Sequence, residues 1–414
     1  MTEFSAISKQ LTASLSKTTK KEEGIYFTPP AVVNLTIDIL CQHLASTTAP
    51  RSSLKILEPS CGSGEYISAL RECFDSSQIV GIEKNPTIYQ RVYDEFHKEN
   101  VQIVNADYLK TQITTKYDVI VGNPPFYVMK KDDVDKKYHE YFDGRPNIFI
   151  LFIVNSLWSL KENGILSFIL PKNFLNCLYY DKTRKYLASQ CEILNIIECS
   201  GSNYIDTQQE TVIFIVKKIS VLQSPPSAFI LSINDHMIFS TEENIQKYKE
   251  LYEGSTTLSA LGFHVSVGNV VWNQCKSILT NDETHTRLIY SSDVETGEYV
   301  QKKYKNVEKK NYIQKGGVRT PMIVVNRGYG VGTYKFYWCL LDDSVIGGGG
   351  SYLVENHLIC ITFPGEDGDC RTKYEKILCS FKDDRTKTFI DIYFGNNAIN
   401  TTELLTILPI YQDI

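Results

Sequence analysis

The fold is decided by the segment KILEPSCGSGE, which runs from Lys55 to Glu65. Its first residues are apolar, as in a buried strand, and the following residues, Tyr66–Phe74, have helical periodicity. Glycines between a strand and a helix allow a sharp turn and a close approach to a ligand, and the start of the helix offers free N–H groups. The third glycine of the dinucleotide fingerprint is missing, which counts against NAD. The segment therefore predicts a ligand-binding turn at the carboxyl end of a strand.

Short apolar runs on both sides of this segment predict a large sheet, and helical periodicity between them (Ala31–Leu44, Tyr66–Phe74 and Pro86–Asn100) predicts helices. This alternation indicates an α/β domain with a doubly wound, mainly parallel, seven-stranded Rossmann-like sheet. The predicted strands are Leu54–Leu57, Ile79–Ile82, Val101–Val104, Val119–Val121, Ile165–Leu170, Ile193–Ile197 and Val212–Val216.

The alternation fades after residue 220, which predicts a second domain. Residues 1–225 form the first predicted domain, with a polar arm or short helix at residues 1–23. Gln223–Ser227 has the composition of a linker. Residues 240–414 are rich in Gly, Asn, Thr and Tyr, with a glycine turn at Gly347–Gly350, and predict a mixed α+β domain.

Composition narrows the class of protein. The 414 residues carry 43 basic and 48 acidic side chains, and this net charge of −5 argues against a generally basic nucleic-acid coat. The eleven cysteines contain no C-x-x-C pair and form no cluster with histidine, so we expect no metal site and unpaired thiols in a reducing compartment.

Because the chain lacks a secretory signal and Ile148–Leu160 is too short for a membrane span, we expect a cytoplasmic protein, or a viral or phage protein acting inside its host cell.

Polar residues follow successive predicted strands. Glu83 ends the second strand, Asp107 and Tyr108 follow the third, and Asn123 follows the fourth. In doubly wound sheets, ligands bind outside the carboxyl ends of the strands, where an acidic residue at the second strand can accept hydrogen bonds from ribose hydroxyls. An aspartate after the third strand can accept a hydrogen bond from an adenine amino group. The sequence thus predicts one crevice for a nucleoside-containing cofactor.

The tetrapeptide Asn123-Pro124-Pro125-Phe126 carries the most specific chemistry in the chain. Two prolines fix the backbone and donate no hydrogen bond, so the Asn123 amide oxygen and the Pro124 carbonyl can point at one substrate NH2 group. Such an amine on a heteroaromatic ring is a poor nucleophile, and accepting both N–H bonds favours the pyramidal nitrogen of the transition state. Phe126 can stack on the ring.

With Glu58–Gly64 before it, this tetrapeptide resembles the S-adenosylmethionine-dependent DNA adenine-N6 methyltransferases. The order of segments is similar to that of the gamma class of restriction–modification enzymes, exemplified by the Thermus enzyme that methylates TCGA. The matching segments in chain order are Tyr26-Phe27-Thr28-Pro29-Pro30, Glu58–Gly64, Glu83, Asp107-Tyr108, Asn123–Phe126 and Gly164–Phe174. The resemblance covers about residues 20–220 and implies a methyltransferase sheet followed by a C-terminal target-recognition domain.

The resemblance also implies roles for individual residues. Asn123 and Pro124, held by Pro125, would accept from the target amine, and Phe126, in place of the commoner tyrosine, would stack on the flipped base. Phe214, near the seventh strand, is our candidate for the family's second stacking aromatic, although its strand could equally bury it. The residues implied in binding S-adenosylmethionine are Tyr26, Thr28, Glu58, Cys61, Gly62, Gly64, Glu83, Asp107 and Tyr108.

Other activities that this chain could have are distinguished by the sequence motifs that each requires. A C5-cytosine methyltransferase needs a cysteine after a proline, which is absent here. N4-cytosine methyltransferases use the same amine chemistry but usually carry S-P-P-Y, so adenine is favoured. Protein-glutamine and guanine-N2 methyltransferases also carry N-P-P-[YF] but mostly lack a large C-terminal region. A non-catalytic specificity subunit that binds S-adenosylmethionine would need a decayed tetrapeptide, and a fused nuclease lacks a convincing set of carboxylates.

The predicted second domain contains a basic stretch that suits double-stranded DNA. Residues 301–335 hold nine basic side chains against Glu308 alone. Such a stretch can neutralise phosphates and present base-reading groups, and the segment Gly262–Gln274 resembles one that recurs in recognition domains of this class. The predicted partners are double-stranded DNA and a cognate restriction endonuclease that shares the site without direct contact, with no membrane. The predicted DNA-binding residues are Lys309, Lys310, Lys315, Arg319 and Arg327.

Overall fold

The computed structural model divides into two compact units, Met1–Ile245 and Gln246–Ile414. The first unit thus extends beyond residue 225, where the sequence suggested its end. The expected linker at Gln223–Ser227 and the expected turn at Gly347–Gly350 lie largely outside the described residues. The structure describes residues 3–45, 54–199, 201, 204–205, 207, 209–219, 227–328, 334–346, 350–365, 370–394 and 398–413.

The first unit is built on a seven-stranded sheet with the order β3-β2-β1-β4-β5-β7-β6. Strands β1 to β5 pair in parallel, whereas β7 runs antiparallel to both β5 and β6. All seven predicted strands are present, and the doubly wound, mainly parallel sheet is confirmed. The strands are β1 (Lys55–Glu58), β2 (Gln78–Glu83), β3 (Val101–Asn105), β4 (Tyr117–Gly122), β5 (Leu160–Pro171), β6 (Cys191–Glu198) and β7 (Thr211–Lys218).

Helices cover both faces of this sheet. Residues from Ser5 onward form two short helices, each capped by a serine side chain that accepts a backbone N–H. The helix expected to reach Asn100 ends at Phe96 instead. The helices are α1 (Ala6–Ser14), α2 (Lys17–Glu23), α3 (Pro30–Ala45), α4 (Glu65–Cys73), α5 (Pro86–Phe96), α6 (Ile148–Ser159) and α7 (Asp181–Gln190). A further helix, α8 (Glu242–Tyr252), begins at the end of this unit and continues into the second. The described residues of the unit also form 3-10 turns (Lys131–Asp133, Lys136–Tyr141, Lys172–Leu175 and Leu178–Tyr180) and the hairpin of β8 (Ile230–Ile233) and β9 (His236–Phe239).

The hydrophobic core lies in two layers, one on each face of the sheet. One layer packs α3, α4 and α5 on the sheet, and the other contains α6, which is apolar on nearly every side and almost entirely buried. An apolar run of this kind forms a buried helix inside a layered domain. In the described part of the chain, no helix combines the length and apolarity needed to cross a membrane.

The second unit has the mixed α+β architecture expected from the sequence. Two four-stranded sheets, with the orders β11-β20-β17-β18 and β12-β16-β13-β19, are accompanied by the pairs β10–β21 and β14–β15. The strands are β10 (Ser255–Thr256), β11 (His264–Val267), β12 (Leu279–Thr280), β13 (Thr286–Ile289), β14 (Val294–Glu295), β15 (Glu298–Tyr299), β16 (Tyr312–Ile313), β17 (Met322–Asn326), β18 (Trp338–Leu341), β19 (Tyr352–Val354), β20 (Leu358–Thr362) and β21 (Ile410–Tyr411). The helices are α9 (Asp343–Ile346), α10 (Cys370–Lys382) and α11 (Asp384–Tyr393), followed by a short π-helix at Glu403–Ile407.

Candidate active site

Two cavities of the first unit share three lining residues, two from the N-terminal segment and one from the loop after β4. The first cavity is about 770 Å³ and the second about 530 Å³, and Gly24, Tyr26 and Asn123 line both. The other residues of the first cavity are Glu23, Ile25, Phe27, Pro59, Ser60, Gly62, Glu83, Lys84, Ile88, Ala106, Asp107, Tyr108, Pro125, Tyr127, Ile148 and Phe152. The other residues of the second cavity are Pro124, Phe126, Tyr204, Thr207, Gln209 and Thr211.

Asn123 is held in one orientation where the two cavities meet. Its side-chain Nδ2 donates to the backbone carbonyl of Tyr26 at 3.0 Å, and the Ser60 hydroxyl donates to the Asn123 backbone carbonyl at 3.2 Å. The remaining amide oxygen, Oδ1, is buried and accepts no hydrogen bond from any described residue. An unpaired buried acceptor costs about 1–3 kcal/mol, so its presence in a cavity wall points to a donor supplied by a ligand.

Gly24 allows the N-terminal segment to lie directly against the tetrapeptide loop. It ends α2 in the left-handed conformation, with φ at 65°. A Cβ atom here would lie 2.7 Å from the backbone nitrogen of Phe126, closer than side-chain carbons approach other atoms. Only glycine satisfies both the conformation and the close approach. This residue therefore brings Tyr26 into contact with Asn123.

Glu83 lies at the end of β2 in the wall of the first cavity. Its Oε2 accepts the backbone N–H of Gly62 at 3.0 Å, and its Oε1 accepts that of Asn85 at 2.7 Å. Burial raises the pKa of the Glu83 carboxyl to about 7, although these two N–H groups act in the opposite direction. A carboxylate has about four acceptor positions, so both oxygens can still accept from a ligand.

Asp107 and Lys84 face each other at the same cavity. The Lys84 ammonium lies 3.2 Å from Asp107 Oδ2, while Oδ1 accepts the N–H of Leu109. The ring of Tyr108 points into the core, and its hydroxyl lies 3.0 Å from the Ser156 hydroxyl. Thus Asp107 offers a polar side chain to the cavity, whereas Tyr108 contributes a buried ring.

The second cavity has aromatic and polar walls. Phe126 meets the ring of Phe149 edge-on, with centroids 5.9 Å apart. Tyr204 and Thr211 place their hydroxyl oxygens 3.2 Å apart. Because β6 and β7 are antiparallel, the connection between them returns at the edge of the sheet where β4 and β5 end. Polar residues of this connection therefore come to lie beside Pro124.

Four residues expected at the cofactor, namely Thr28, Cys61, Gly64 and Glu58, line neither cavity, and their role in cofactor binding stays a prediction. Thr28 is buried. The Cys61 side chain is buried beneath the turn, and burial raises the pKa of its thiol well above the usual value. Gly64 has φ at 83°, and a Cβ atom there would lie 2.5 Å from the Phe96 ring, so this glycine serves helix packing. Glu58 is buried, and desolvation followed by repulsion from Glu83 raises the pKa of its carboxyl well above the usual value.

Phe214, the residue expected to stack on the target base, lies in the core and lines neither cavity. Its side chain is 1% exposed. Its ring stacks on that of Phe239 at 5.8 Å and meets Phe174 edge-on at 5.7 Å. Tyr204 is the aromatic residue of this region that lines the second cavity.

The predicted DNA-binding residues of the second unit differ in exposure. Lys315 and Arg319 are exposed, whereas Lys310 and Arg327 are partly buried. Lys309 lies over the rings of Tyr290, at 3.9 Å from the centroid, and Tyr304, at 4.3 Å. Desolvation lowers the pKa of its ammonium group. Lys309 is therefore part of an aromatic cluster rather than an exposed cation.

Several residues of the two cavities were missed by the sequence analysis. Gly24 follows the polar helix α2, and Lys84 directly follows Glu83. The β6–β7 connection supplies Tyr204, Thr207 and Gln209. The absence of a helical pattern between the last two predicted strands was a signal for this connection, since parallel strands need a longer crossover.

Comparison with known proteins identifies the domain that holds these cavities. Residues 37–205 match the family model described as Eco57I restriction-modification methylase. These residues include β1 to β6, the turn after β1 and the tetrapeptide Asn123–Phe126. Residues 37–205 are thus similar to the methyltransferases of that family.

Two relatives named as methyltransferases match nearly the whole chain. The Type II methyltransferase M.CvrRI of Paramecium bursaria Chlorella virus XZ-6E is 26% identical over 392 residues, which cover 93% of each chain. The modification methylase CviBIII of Paramecium bursaria Chlorella virus NC1A is 26% identical over 419 residues, which cover 99% of each chain. The cofactor of the methyltransferase domain is accordingly S-adenosylmethionine, as the sequence predicted.

A solved structure has a similar fold over both units. The chain in the cryo-electron microscopy structure of the DrdV–DNA complex aligns with a TM-score of 0.59 and 13% identity. The alignment covers 99% of this chain and 57% of that chain. At this level of identity the likeness concerns the fold alone. It extends the similarity beyond the methyltransferase domain to the mixed α+β unit.

Proposed function

We propose that this protein is a site-specific DNA methyltransferase that transfers a methyl group from S-adenosylmethionine to the N6 amine of a flipped adenine in double-stranded DNA. The observation that carries this proposal is the buried, unpartnered Oδ1 of Asn123 where two cavities meet. One cavity suits the cofactor and the other suits the target base, so Asn123 lies where the amine and the methyl group must come together. Similarity to a restriction–modification methylase family supports DNA as the substrate.

The first cavity fits S-adenosylmethionine by its chemistry. It combines apolar walls, formed by Ile88, Phe152 and other residues, with the carboxylates of Glu83 and Asp107. We assign the ribose hydroxyls to Glu83 and the adenine amino group to Asp107. Gly62 and Tyr26 would hold the methionine end. The cofactor supplies a methyl group made electrophilic by its sulfonium centre.

The second cavity fits the target base. The amine would donate one N–H to Asn123 Oδ1 and the other to the Pro124 backbone carbonyl. Both acceptors are fixed before the substrate arrives, because Asn123 Nδ2 is bound to Tyr26 and prolines restrict the loop. Accepting both N–H bonds localises the lone pair of the amine nitrogen, and these contacts are stronger in the transition state than in the planar ground state.

Two aromatic side chains of the second cavity suit stacking on the extruded base. Phe126 follows the two prolines, and Tyr204 comes from the β6–β7 connection. Extruding a base from a duplex costs a few kcal/mol, and base–aromatic stacking returns about 1–3 kcal/mol per base. We therefore assign the second stacking role to Tyr204 instead of Phe214.

The second unit is assigned to DNA target recognition. Its exposed Lys315 and Arg319 suit phosphate contacts, which provide affinity, while base-edge contacts choose the site. In the described part of the chain the eleven cysteines form no disulfide, which suits action in a reducing cell interior, including that of a virus-infected host. The gamma class and a cognate endonuclease with the same recognition site remain predictions.

Replacing Asn123 tests the central assignment. We expect the wild type to produce N6-methyldeoxyadenosine, and Asn123→Ala to lose methyl transfer while binding S-adenosylmethionine within a few-fold of wild type. The readouts are nucleoside mass spectrometry of digested DNA and calorimetry of cofactor binding. N4-methyldeoxycytidine as the product would refute the adenine assignment. Loss of cofactor binding by orders of magnitude in Asn123→Ala would make this residue structural.

The ionisation of Glu83 should control cofactor affinity. Ribose hydroxyls donate more strongly to a carboxylate than to a carboxylic acid, so binding favours the ionised form. With a pKa of about 7, the ionised fraction falls as the pH falls, and affinity should be about tenfold weaker at pH 6 than at pH 8. Calorimetry at both pH values checks this. The amino group of the cofactor also titrates, so Glu83→Gln is the control, because it removes only the contribution of Glu83. If the affinity of this variant changed with pH as much as that of the wild type, Glu83 would not be the group that controls cofactor affinity.

We expect the aromatic ring of Tyr204 to stabilise the extruded base by stacking on it. With 2-aminopurine at the methylated position, Tyr204→Ala should weaken the complex with the extruded base by roughly 5- to 150-fold, the range given by base–aromatic stacking. Tyr204→Phe should keep it, because the ring remains. Phe214→Leu, a core change, serves as the control and should leave the fluorescence of the complex unchanged. Equal binding by Tyr204→Ala and wild type would exclude the stacking role.

The salt dependence of DNA binding tests the basic stretch. The double variant Lys315→Gln/Arg319→Gln should lower the slope of log affinity against log salt by about 0.9 for each phosphate that the variant no longer neutralises. Cofactor affinity should not change. The matched control is Arg371→Gln/Lys376→Gln, which removes the same charges from exposed positions of α10. If both double variants gave parallel lines with the wild type, the phosphate-binding residues would lie elsewhere.

A further inference from the structure

The first helix of the chain is hydrogen-bonded to the turn that lines the first cavity. Ser8, on α1, donates to Glu65 Oε1 at 2.5 Å, and its hydroxyl oxygen lies 2.7 Å from that of Ser63. The backbone N–H of Ser5 donates to the same Glu65 oxygen at 3.0 Å. All three side chains of this cluster are buried, with Ser8 at 0%, Ser63 at 3% and Glu65 at 7% exposure. We refer to Ser5, Ser8, Ser63 and Glu65 as the latch.

The latch holds a segment that forms one wall of the first cavity. Residues 5–27, here the N-terminal arm, contain α1 and α2, which are tied together where Lys20 Nζ donates to the Thr12 carbonyl at 3.1 Å. The arm ends in five consecutive cavity residues, Glu23 to Phe27. Asn85, beside Glu83, donates to Glu23 at 2.9 Å. The arm is thus attached to the methyltransferase domain near both ends.

We propose that the latch is a positioning device for the cofactor: Ser8 and Glu65 hold the N-terminal arm closed against the first cavity and so set the residence time of S-adenosylmethionine. This inference rests on the proposed placement of the cofactor in the first cavity. Neither side chain lines that cavity, so both act through the arm. Glu65 begins α4 two residues after Ser63, and a carboxylate at a helix start is itself stabilised there.

The latch affects affinity by changing how often the arm is closed. When only a fraction of the protein is in the conformation that binds the ligand, the measured affinity is reduced by that fraction. Removing a buried hydrogen bond to a carboxylate lowers the closed population, so the cofactor dissociates faster. When the cofactor is saturating, the closed state is restored and Asn123 again donates to the Tyr26 carbonyl. The latch therefore changes KM for the cofactor and leaves kcat nearly unchanged.

The test uses Ser8→Ala in the full chain. We expect the dissociation constant and the dissociation rate of S-adenosylmethionine to rise about tenfold, as for the loss of a hydrogen bond to a charged group. The value of kcat at saturating cofactor should stay within about twofold of wild type. Ser14→Ala is the matched control, because Ser14 also lies on α1 but its hydroxyl donates to the Leu11 carbonyl of its own helix. Calorimetry, radiolabel chase and steady-state kinetics give the three quantities.

Hydrogen exchange separates a local latch from general destabilisation. In the cofactor-free Ser8→Ala variant, amides of residues 6–24 should exchange faster, while those of β1 and β4 keep their wild-type protection. Glu65→Gln, which keeps the shape of the side chain, should shift cofactor affinity in the same direction. Wild-type cofactor kinetics in Ser8→Ala, or an equal change in Ser14→Ala, would overturn the latch. If instead the wild-type protein bound S-adenosylmethionine but transferred no methyl group to DNA, the proposed function would be overturned and the latch would stand.

Discussion

The site depends on the hydrogen bond from Asn123 Nδ2 to the Tyr26 carbonyl. A backbone carbonyl accepts but does not donate, so this contact fixes which end of the Asn123 amide faces Tyr26. The oxygen must then face the cavities, where no described residue satisfies it. The two partners lie 97 positions apart in the chain. An acceptor fixed in advance needs no reorganisation when an amine arrives, which is the condition for electrostatic stabilisation of a transition state.

This contact requires the N-terminal arm to approach the tetrapeptide loop very closely. Gly24 permits the approach, since any side chain there would overlap the Phe126 backbone nitrogen. The arm therefore links the two cavities: its residues 23–27 line the first, and Gly24 and Tyr26 also line the second. A change in the arm alters the wall of the cofactor cavity and the orientation of Asn123 together. In the proposed function, cofactor binding and the placing of the target amine thus depend on the same segment.

The sequence predicts backbone features better than side-chain directions. The seven apolar runs gave all strands of the first sheet, and the strand ends gave Glu83, Asp107 and Asn123, because parallel strands end at one edge. The motif could not show that Cys61 points into the core. Strand β7 is apolar on both faces, so alternation could not tell where Phe214 points. Charge counting likewise treated Lys309 as exposed, because its contact with Tyr290 depends on distant strands.

The second cavity shows how topology supplies what the motif lacks. The tetrapeptide provides two acceptors and one aromatic ring, all on a single loop after β4. A base held on one side only would not be enclosed. The antiparallel insertion of β7 between β5 and β6 turns the last connection back to the same edge of the sheet, so Tyr204 and Thr211 come to line the cavity with Phe126. A purely parallel sheet would need a crossover over one face at this point. The reversal of one strand therefore completes the second cavity, which we propose for the target base.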